Sequence, residues 1–282
     1  MRLGSDRSIF QAMNTTDLLK ESYPLAPDAA RFYRENGFIK LKNVLSADVL
    51  GHFDRLISDQ VLQLSTQRVP MEERSTYGKA FLQVMNLWTQ DEAVRELVLS
   101  PRLARIAAML MEVDGVRLYH DQALYKEAGG GYTPWHADQY YWPLATPKCI
   151  TAWIPLQETP LEMGALEFSA RSHLLKIGRD QPISDDSEAL IEQALADSTC
   201  EQIIEPYEFS EVSFHAGWCF HRAAPNTTNT PRQVMCIIYM DSMMRLKEPE
   251  NTNQRLDRDT WCPGAKVGEV IDTPLNPVIW SK

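Results

Sequence analysis

The strongest indication of the fold lies in residues 116–138, VRLYHDQALYKEAGGGYTPWHAD, where a strand pattern runs into a glycine-rich turn. Short-period alternation predicts a β-strand at 116–126, and the turn occupies 129–134. In extended chain, residues i and i+2 point to the same face, so His136 and Asp138 can present an imidazole and a carboxylate to one metal ion. Alone, the tripeptide is also compatible with a surface histidine beside an aspartate.

Helical patterns precede this segment and strand patterns follow it. Apolar spacing predicts one helix opening at Pro27-Asp28 and ending at Asn36-Gly37, a second after Ser46, and a third across 91–112 that is divided at Pro101. Short strands are expected at 38–41, 116–126, 149–156, 164–169, 211–214 and 233–240. Helices followed by many short strands favour a mainly β fold with flanking helices, a sandwich or barrel.

One domain is expected, because no Pro/Gly/Ser-rich linker divides the chain of 282 residues. Its expected parts are an N-terminal extension (1–25), a mostly helical flank (26–112), a β core (113–245) with an insertion at about 174–205, and a C-terminal tail (246–282) packing on the core.

Composition limits the classes of partner and the compartment. Lys and Arg total 28 against 38 Asp and Glu, a net charge of -10, which argues against nucleic acid and anionic membranes as partners. The five cysteines form no CxxC pair and are odd in number. Neither a thiolate zinc site nor a disulfide scaffold is therefore expected. The N-terminal residues interrupt their apolar positions with charge, unlike a secretory signal, so a cytoplasmic location is expected.

A third candidate metal ligand is His221, one of six histidines. It follows a predicted strand, lies 83 residues after Asp138 and precedes Arg232 by 11 residues. Two histidines and one carboxylate on a β scaffold match the facial triad of non-haem Fe(II) oxygenases. The guanidinium suits a dicarboxylate co-substrate, because its planar fork binds a carboxylate through two hydrogen bonds.

Several further segments carry a family resemblance. They are FYRENGFIKLKNVLS (32–46), YHDQALYKEAGGGYTPWHADQYYW (119–142), ITAWIPLQET (150–159), MGALEFSARSH (163–173), FHAGWCFHRAAPNTTNTPRQVM (214–235) and WCPGAKVGEVIDTPLNPVIW (261–280). From about residue 28 to its end, the chain resembles the phytanoyl-CoA dioxygenase-like (PhyH) family of Fe(II)/2-oxoglutarate-dependent oxygenases. The resemblance implies a double-stranded β-helix core, of the jelly-roll or cupin-like type, with Fe(II), 2-oxoglutarate and O2 as cofactors and co-substrates.

Carried over by position, the resemblance implies roles for seven residues. Iron ligands would be His136, Asp138 and His221, Arg232 would pair with the distal carboxylate of 2-oxoglutarate, and Trp153, Gln122 and Thr151 would lie at the co-substrate pocket. Core packing remains the alternative for Trp153, and a structural hydrogen bond the alternative for Gln122. His215 is the competing ligand, although only His221 is followed by Pro-Asn and Arg at the family spacing.

One position departs from the family pattern. Many members carry serine two residues after the distal histidine, where it bonds 2-oxoglutarate, but this chain has Ala223. The carboxylate is therefore expected to need another donor besides Arg232. Asp138 is retained where halogenating relatives have a small residue, which favours hydroxylation.

The resemblance and the aromatic residues together suggest the kind of substrate. Aromatic side chains expected to line a substrate pocket are Trp135, Tyr140, Tyr141, Trp142 and Trp218. Polar segments at 66–80 and 174–205 are expected to cover its opening. The expected partner is a small molecule, with no nucleic acid or membrane, and the expected oligomeric state is a monomer or homodimer.

The predicted function is a 2-oxoglutarate-dependent non-haem iron dioxygenase of secondary metabolism. It is expected to hydroxylate an unactivated C–H bond of a small or mid-sized metabolite and release succinate and CO2. Two alternatives stay open: a zinc-dependent hydrolase or lyase on a cupin-like barrel, and a catalytically silent binding protein of the same fold. The zinc alternative gives no role to Arg232.

Overall fold

The computed structural model describes residues 15–282, in which helices surround two antiparallel sheets. The helices are α1 (Thr15–Leu18), α2 (Ala29–Asn36), α3 (Ala47–Leu64), α4 (Thr76–Ala80), α5 (Glu92–Val98), α6 (Pro101–Met111), α7 (Asp185–Ala196) and α8 (Thr252–Trp261). The strands are β1 (Phe38–Leu41), β2 (Leu82–Met85), β3 (Gly115–Lys126), β4 (Thr133–His136), β5 (Cys149–Pro155), β6 (Leu166–Ser169), β7 (Gln202–Ile204), β8 (Val212–Ala216), β9 (His221–Ala223), β10 (Arg232–Asp241) and β11 (Val278–Ser281). Residues 1–14 lie outside the described residues. The prediction that no secretory signal is present, and most of the expected N-terminal extension, fall on this segment.

Helix ends in the first third follow local signals in the sequence. The Ser46 side chain accepts a hydrogen bond from the Val49 amide at the start of α3. Gly37 ends α2 in the left-handed conformation, at φ 83°. Ser100 caps α6 and Pro101 occupies its first turn, so the expected division of the 91–112 helix at this proline is confirmed.

The two sheets form a jelly-roll core. The larger has the order β1-β8-β5-β10-β3-β11, with β2 also paired to β3, and the smaller has the order β4-β9-β6-β7. All the pairings that define these two orders are antiparallel. A mainly β jelly-roll with flanking helices is therefore the observed architecture, as expected.

Alternation along β10 separates two apolar cores. Met235, Ile237 and Tyr239 pack toward the helices, in the cluster that also contains the buried faces of α3, α5 and α6. Cys236 and Ile238 face the opposite way, between the two sheets. Because successive side chains of a strand point to opposite faces, one strand seals the helical layer and also lines the interior of the jelly-roll.

Several elements were not expected from the sequence, among them β2 and α8. β2 adds a short strand to β3 inside the region expected to be mostly helical, and α8 lies in the C-terminal tail. Within the described residues, no helix is both long enough and apolar enough to cross a bilayer. The five cysteines, all in this part of the chain, are free thiols.

Candidate metal centre and adjoining cavity

Two neighbouring strands of the smaller sheet bring the candidate histidines together. His136 ends β4 and His221 begins β9, and the two residues are direct cross-strand partners. Their ring centroids are 4.2 Å apart. Ala137 continues the extended chain after β4, so Asp138 returns to the same side as His136, as the alternation predicts.

The tautomers of both histidines are set by backbone carbonyls. Nδ1 of His136 lies 2.8 Å from the Pro134 carbonyl oxygen, and Nδ1 of His221 lies 3.0 Å from that of Cys219. A carbonyl only accepts, so each Nδ1 carries the proton and each Nε2 keeps its lone pair. Metal-binding histidines are commonly oriented in this way.

The Asp138 carboxylate faces both free Nε2 atoms. Its Oδ1 lies 3.6 Å from Nε2 of His136 and 3.7 Å from that of His221, and one ligand atom from each residue falls within 4.8 Å of the others. Burial raises the pKa of Asp138, but its histidine neighbours, including the hydrogen bond from His215, outweigh burial and hold this pKa well below its usual range. The carboxylate is therefore ionised, as a metal ligand must be.

His215 has a different relation to the centre. Its Nε2 lies 3.2 Å from Oδ2 of Asp138, the oxygen that also accepts a 3.0 Å hydrogen bond from Thr151. Donation from Nε2 to this carboxylate leaves no lone pair there for a metal. His215 and Thr151 thus hold Asp138 through Oδ2. The Thr151 hydroxyl, which was expected at the co-substrate pocket, donates its hydrogen bond to this carboxylate.

A cavity of about 500 Å³ opens beside the three candidate ligands. Polar and charged side chains along its wall include His120, Gln122, Thr133, Thr151, Arg232 and Asp257. Its apolar wall includes Phe81, Met85, Leu124, Trp142, Trp153 and Trp261. Tyr77 and Ile183, from the two segments expected to cover the opening, also line it.

Arg232 forms the cationic end of this cavity. The side chain is fully buried, its Nη1 donates a 2.5 Å hydrogen bond to the Gly164 carbonyl, and its Nε has no partner among the described residues. Its guanidinium lies 5.4 Å from the ring centroid of Trp153. Burial lowers its pKa only to about 10, so the guanidinium stays charged and can accept an anion.

Trp153 and Gln122 line the cavity on strands β5 and β3. Trp153 packs on the ring of Tyr207, with centroids 4.6 Å apart, and so combines a packing contact with a face on the cavity. The Gln122 Oε1 accepts a hydrogen bond of 2.5 Å from Gln83 on β2. That structural hydrogen bond leaves the Gln122 amide nitrogen for other contacts.

Two polar residues at the cationic end were not singled out from the sequence. Thr133 lies on β4 opposite Ala223, the position where many relatives have serine, and its hydroxyl lies 3.3 Å from Nζ of the fully buried Lys126. Lys126 is the cross-strand partner of Arg232. Sequence alone placed Thr133 in the glycine-rich turn (129–134), and its pairing with Ala223 requires the register.

The five aromatic residues expected at the substrate pocket divide into two groups. Tyr141 and Trp142 line the cavity. Trp135 is instead fully buried beneath Arg222, with the guanidinium 4.7 Å from its ring centroid. Trp218 lines a second, smaller cavity.

Tyr140 is also absent from the cavity wall, because it lies in the short 3-10 turn Asp138–Tyr140. Its carbonyl accepts a 2.9 Å hydrogen bond from Gln254 at the start of α8. Trp135, Tyr140 and Trp218 are thus not on the wall of this cavity, and its lining gives no support to their expected role in the substrate pocket.

Helix α8 supplies part of the wall that sequence reasoning missed. Asn253, Leu256, Asp257 and Trp261 line the cavity, although α8 belongs to the C-terminal tail. The available signal was Asn251, whose side chain accepts a hydrogen bond from the Gln254 amide and caps the helix. His120, which also lines the cavity, is buried and has no partner for Nδ1 among the described residues.

Comparison with solved structures gives relatives of the same fold. The chain is 26% identical to the non-heme alpha ketoglutarate dependent carbocyclase SnoK from nogalamycin biosynthesis, with a TM-score of 0.73 over 90% of this chain and 96% of that one. It is 23% identical to the epimerase SnoN in complex with Fe3+, alpha ketoglutarate and nogalamycin RO, with a TM-score of 0.74 over 89% and 97%. It is 17% identical to EctD from S. alaskensis with 2-oxoglutarate and 5-hydroxyectoine, with a TM-score of 0.68 over 93% and 91%.

The sequence itself matches a known family. No curated protein is significantly similar in sequence to the chain. The family model described as Phytanoyl-CoA dioxygenase (PhyH) matches residues 33–234, which include all three candidate metal ligands and Arg232. This match covers well over half of the chain and confirms the resemblance seen in its motifs. The chain belongs to the phytanoyl-CoA dioxygenase (PhyH) family.

Proposed function

We propose that the protein is an Fe(II)- and 2-oxoglutarate-dependent oxygenase that oxidises a small or mid-sized metabolite. The observation that carries this proposal is the arrangement of two histidine Nε2 atoms, one ionised carboxylate and one buried, incompletely paired arginine on a single cavity. A triad of His136, Asp138 and His221 leaves coordination positions open for a co-substrate and O2. A zinc hydrolase would need the triad but not the arginine.

The side chains around the cavity fit both Fe(II) and 2-oxoglutarate. Neutral imidazoles and a carboxylate suit a divalent iron, and a buried guanidinium with a free Nε suits a carboxylate that approaches along the cavity. When bound, the iron would supply the oxidative chemistry that side chains cannot perform. The chain supplies the ligands, the orientation of the co-substrate and a cavity that excludes water.

Arg232 would hold the distal carboxylate of 2-oxoglutarate, with Thr133 as a second donor. Lys126 lies close enough to donate to the Thr133 oxygen, which leaves the hydroxyl hydrogen of Thr133 free to point into the cavity. This arrangement provides the donor that Ala223 cannot. Trp153 packs beside the guanidinium and would flank the bound co-substrate.

Hydroxylation of an unactivated C–H bond is the reaction we propose. Retention of Asp138 supports it, because the carboxylate occupies the position that a halide would need. Two of the solved relatives are described as a carbocyclase and an epimerase, and these activities are those of SnoK and SnoN. Removing hydrogen from a substrate carbon is the step that the proposed reaction requires first, whatever bond forms afterwards.

A spectroscopic titration tests the proposal directly. Adding Fe(II) and 2-oxoglutarate to the full chain without oxygen is expected to produce a metal-to-ligand charge-transfer band in the visible. A zinc enzyme or a silent binding protein would give no such band. Absence of both the band and iron binding would contradict the oxygenase assignment.

Removal of a ligand gives a second test. His136→Ala or Asp138→Ala is expected to abolish turnover of 2-oxoglutarate while the circular dichroism spectrum stays that of the folded protein. The physical reason is that two remaining ligands do not hold the metal in the required geometry. Unchanged turnover in either variant would exclude that residue as a ligand.

A further inference from the structure

The end of the cavity opposite Arg232 has its own chemistry. Arg232 pairs with Lys126 on β3, and His120 lies six residues earlier on the same strand, roughly 20 Å away at strand spacing. At this second end, side chains from β3, α8 and the segment after Asp138 meet. We call them the Asp257 corner, which consists of Tyr119, His120, Trp142, Asp257 and Trp261.

Asp257 is a largely buried carboxyl group on the cavity wall. It accepts a hydrogen bond from the Tyr119 hydroxyl, and Trp261 also hydrogen-bonds to it. A carboxylate has about four acceptor sites, so two neighbours leave capacity for a ligand. Burial raises the pKa of Asp257 to about 7, which is the behaviour of a carboxyl group that lacks a cationic partner.

No cation of the described residues neutralises this carboxylate. Arg232 is the only lysine or arginine on the cavity wall, and it lies at the other end. On α8 itself, Arg255 donates to Thr252 and Arg258 to Asp259. Burial lowers the pKa of His120 to about 3, so this imidazole is neutral and supplies no positive charge to Asp257.

Aromatic rings surround the position that a ligand of Asp257 would take. The His120 ring lies 6.1 Å from Trp142 and 5.7 Å from Trp261, centroid to centroid, and all three line the cavity. Tyr119 packs edge-on against Trp142 at 5.6 Å. Indole faces attract organic cations, most strongly where water is excluded.

We infer that the Asp257 corner binds a protonated amino group of the substrate, which makes the substrate class an amine-bearing organic cation. Asp257 provides the counter-charge, and Trp142 and Trp261 provide the aromatic walls. This inference rests on the proposed function, since it assigns the substrate end of the same cavity. The corner is close enough to the metal centre for the Asp138 charge to act on His120.

A matched pair of probes tests the inference. Calorimetric titration of the full chain, loaded anaerobically with Fe(II) and 2-oxoglutarate, would compare phenethylamine with 2-phenylethanol, which differ mainly in charge. The amine is expected to bind at least about tenfold more tightly, as charge-assisted hydrogen bonding in a buried site predicts. Asp257→Asn is expected to bring the two affinities within about twofold.

The control is Asp259→Asn, an exposed carboxylate on the same helix that pairs with Arg258. It should keep the wild-type ratio of affinities. Trp261→Leu tests the corner a second time, because leucine keeps apolar contact but removes both the cation–π attraction and the hydrogen bond to Asp257; the ratio should fall several-fold. These two variants also decide the matter if Asp257→Asn fails the circular dichroism check for folding.

Two results would overturn the inference: equal binding of both probes to the wild type, or an undiminished amine preference in the Asp257 and Trp261 variants. The first result would show that the cavity does not select a charged amino group. If the charge-transfer band forms in the wild type without any amine preference, only the inference fails. If the band does not form at all, the proposed function itself fails.

Discussion

Asp138 is held by neighbours on both of its oxygens, and this explains why two nearby histidines have different roles. Oδ1 faces Nε2 of His136 and His221, whereas Oδ2 accepts from His215 and Thr151. A carboxylate anchored through one oxygen offers the other in a fixed direction. His215, the alternative ligand in the sequence analysis, is thus placed to orient the Asp138 carboxylate.

This difference predicts unequal effects of two leucine substitutions. His215→Leu is expected to weaken Fe(II) binding about 10- to 100-fold, the usual effect of losing a group that orients a ligand, while the visible band still forms at saturating iron. His221→Leu is expected to abolish the band at every iron concentration. Anaerobic titration of both variants measures this; a band in His221→Leu but not in His215→Leu would reverse the assignment.

At the level of single residues, sequence alone reached the candidate ligands but not their supports. His136 and Asp138 follow from strand alternation, and Arg232 from its spacing after His221. Thr133 could not be assigned, because its value depends on standing opposite Ala223. Such cross-strand partnerships depend on register, which a bulge between Thr133 and His136 changes here.

Among the elements, the turn before β6 has the closest link to the co-substrate end. Gly164 has φ +81°, and a Cβ there would lie 2.5 Å from the Ala224 carbonyl oxygen. Its own carbonyl accepts the hydrogen bond from Arg232. The backbone that sets the position of the guanidinium therefore has no room for a side chain.

Gly164→Ala is expected to destabilise the protein by about 1–3 kcal/mol and to weaken 2-oxoglutarate binding, because the shifted turn would displace Arg232. Gly264→Ala is the matched control, since Gly264 has φ +83° but nothing within 4 Å of its Cβ position. Urea unfolding and 2-oxoglutarate titration measure both effects. Equal losses of affinity in the two variants would contradict a specific role for the Gly164 turn.

Element prediction succeeded where periodicity is strong and failed where packing decides. The strands at 149–155 and 232–241 agree with the expected ones within about a residue at most ends. β2 was missed because four residues of LQVM carry little pattern until β3 pairs with them. α8 was missed because its sequence, TNQRLDRDTW, is mostly polar, and its contribution is a cavity wall more than a core face.

For the molecule as a whole, buried ionisable groups make stability depend on pH. Burial, together with the charge of Arg232, lowers the pKa of Lys126 from 10.5 to about 6. Between these values the unfolded chain binds a proton that the folded chain does not. The free energy of unfolding therefore rises with pH in this window, by up to about 1.4 kcal/mol per pH unit for one proton.

Lys126→Met is expected to remove this contribution. Without metal or 2-oxoglutarate, the wild type should show a steeper rise of unfolding free energy than the variant between pH 7 and 8.5. Asp121 and Asp257 have pKa values raised by burial to about 7, so their opposing effect lies mostly below this range. Urea unfolding at several pH values decides it, and parallel pH profiles would place a charged Lys126 in the folded protein.

The expected single domain stays a proposal, which two features support. The cavity wall runs from Tyr77 to Trp261 in sequence, and one apolar cluster joins α3 and α6 to strands β3, β5 and β10. Sequence could not predict the shape of the cavity, because it depends on side chains that meet only after folding.

Helix α8 begins at Thr252, beyond the family-matched residues 33–234, yet Asp257 and Trp261 form part of the cavity wall. The ligand set and one part of the cavity wall are thus encoded in separate stretches of chain. Mutation within α8 can change which molecule the cavity accepts while the candidate ligand set is inherited intact. Such an arrangement allows new substrates to be acquired without new chemistry.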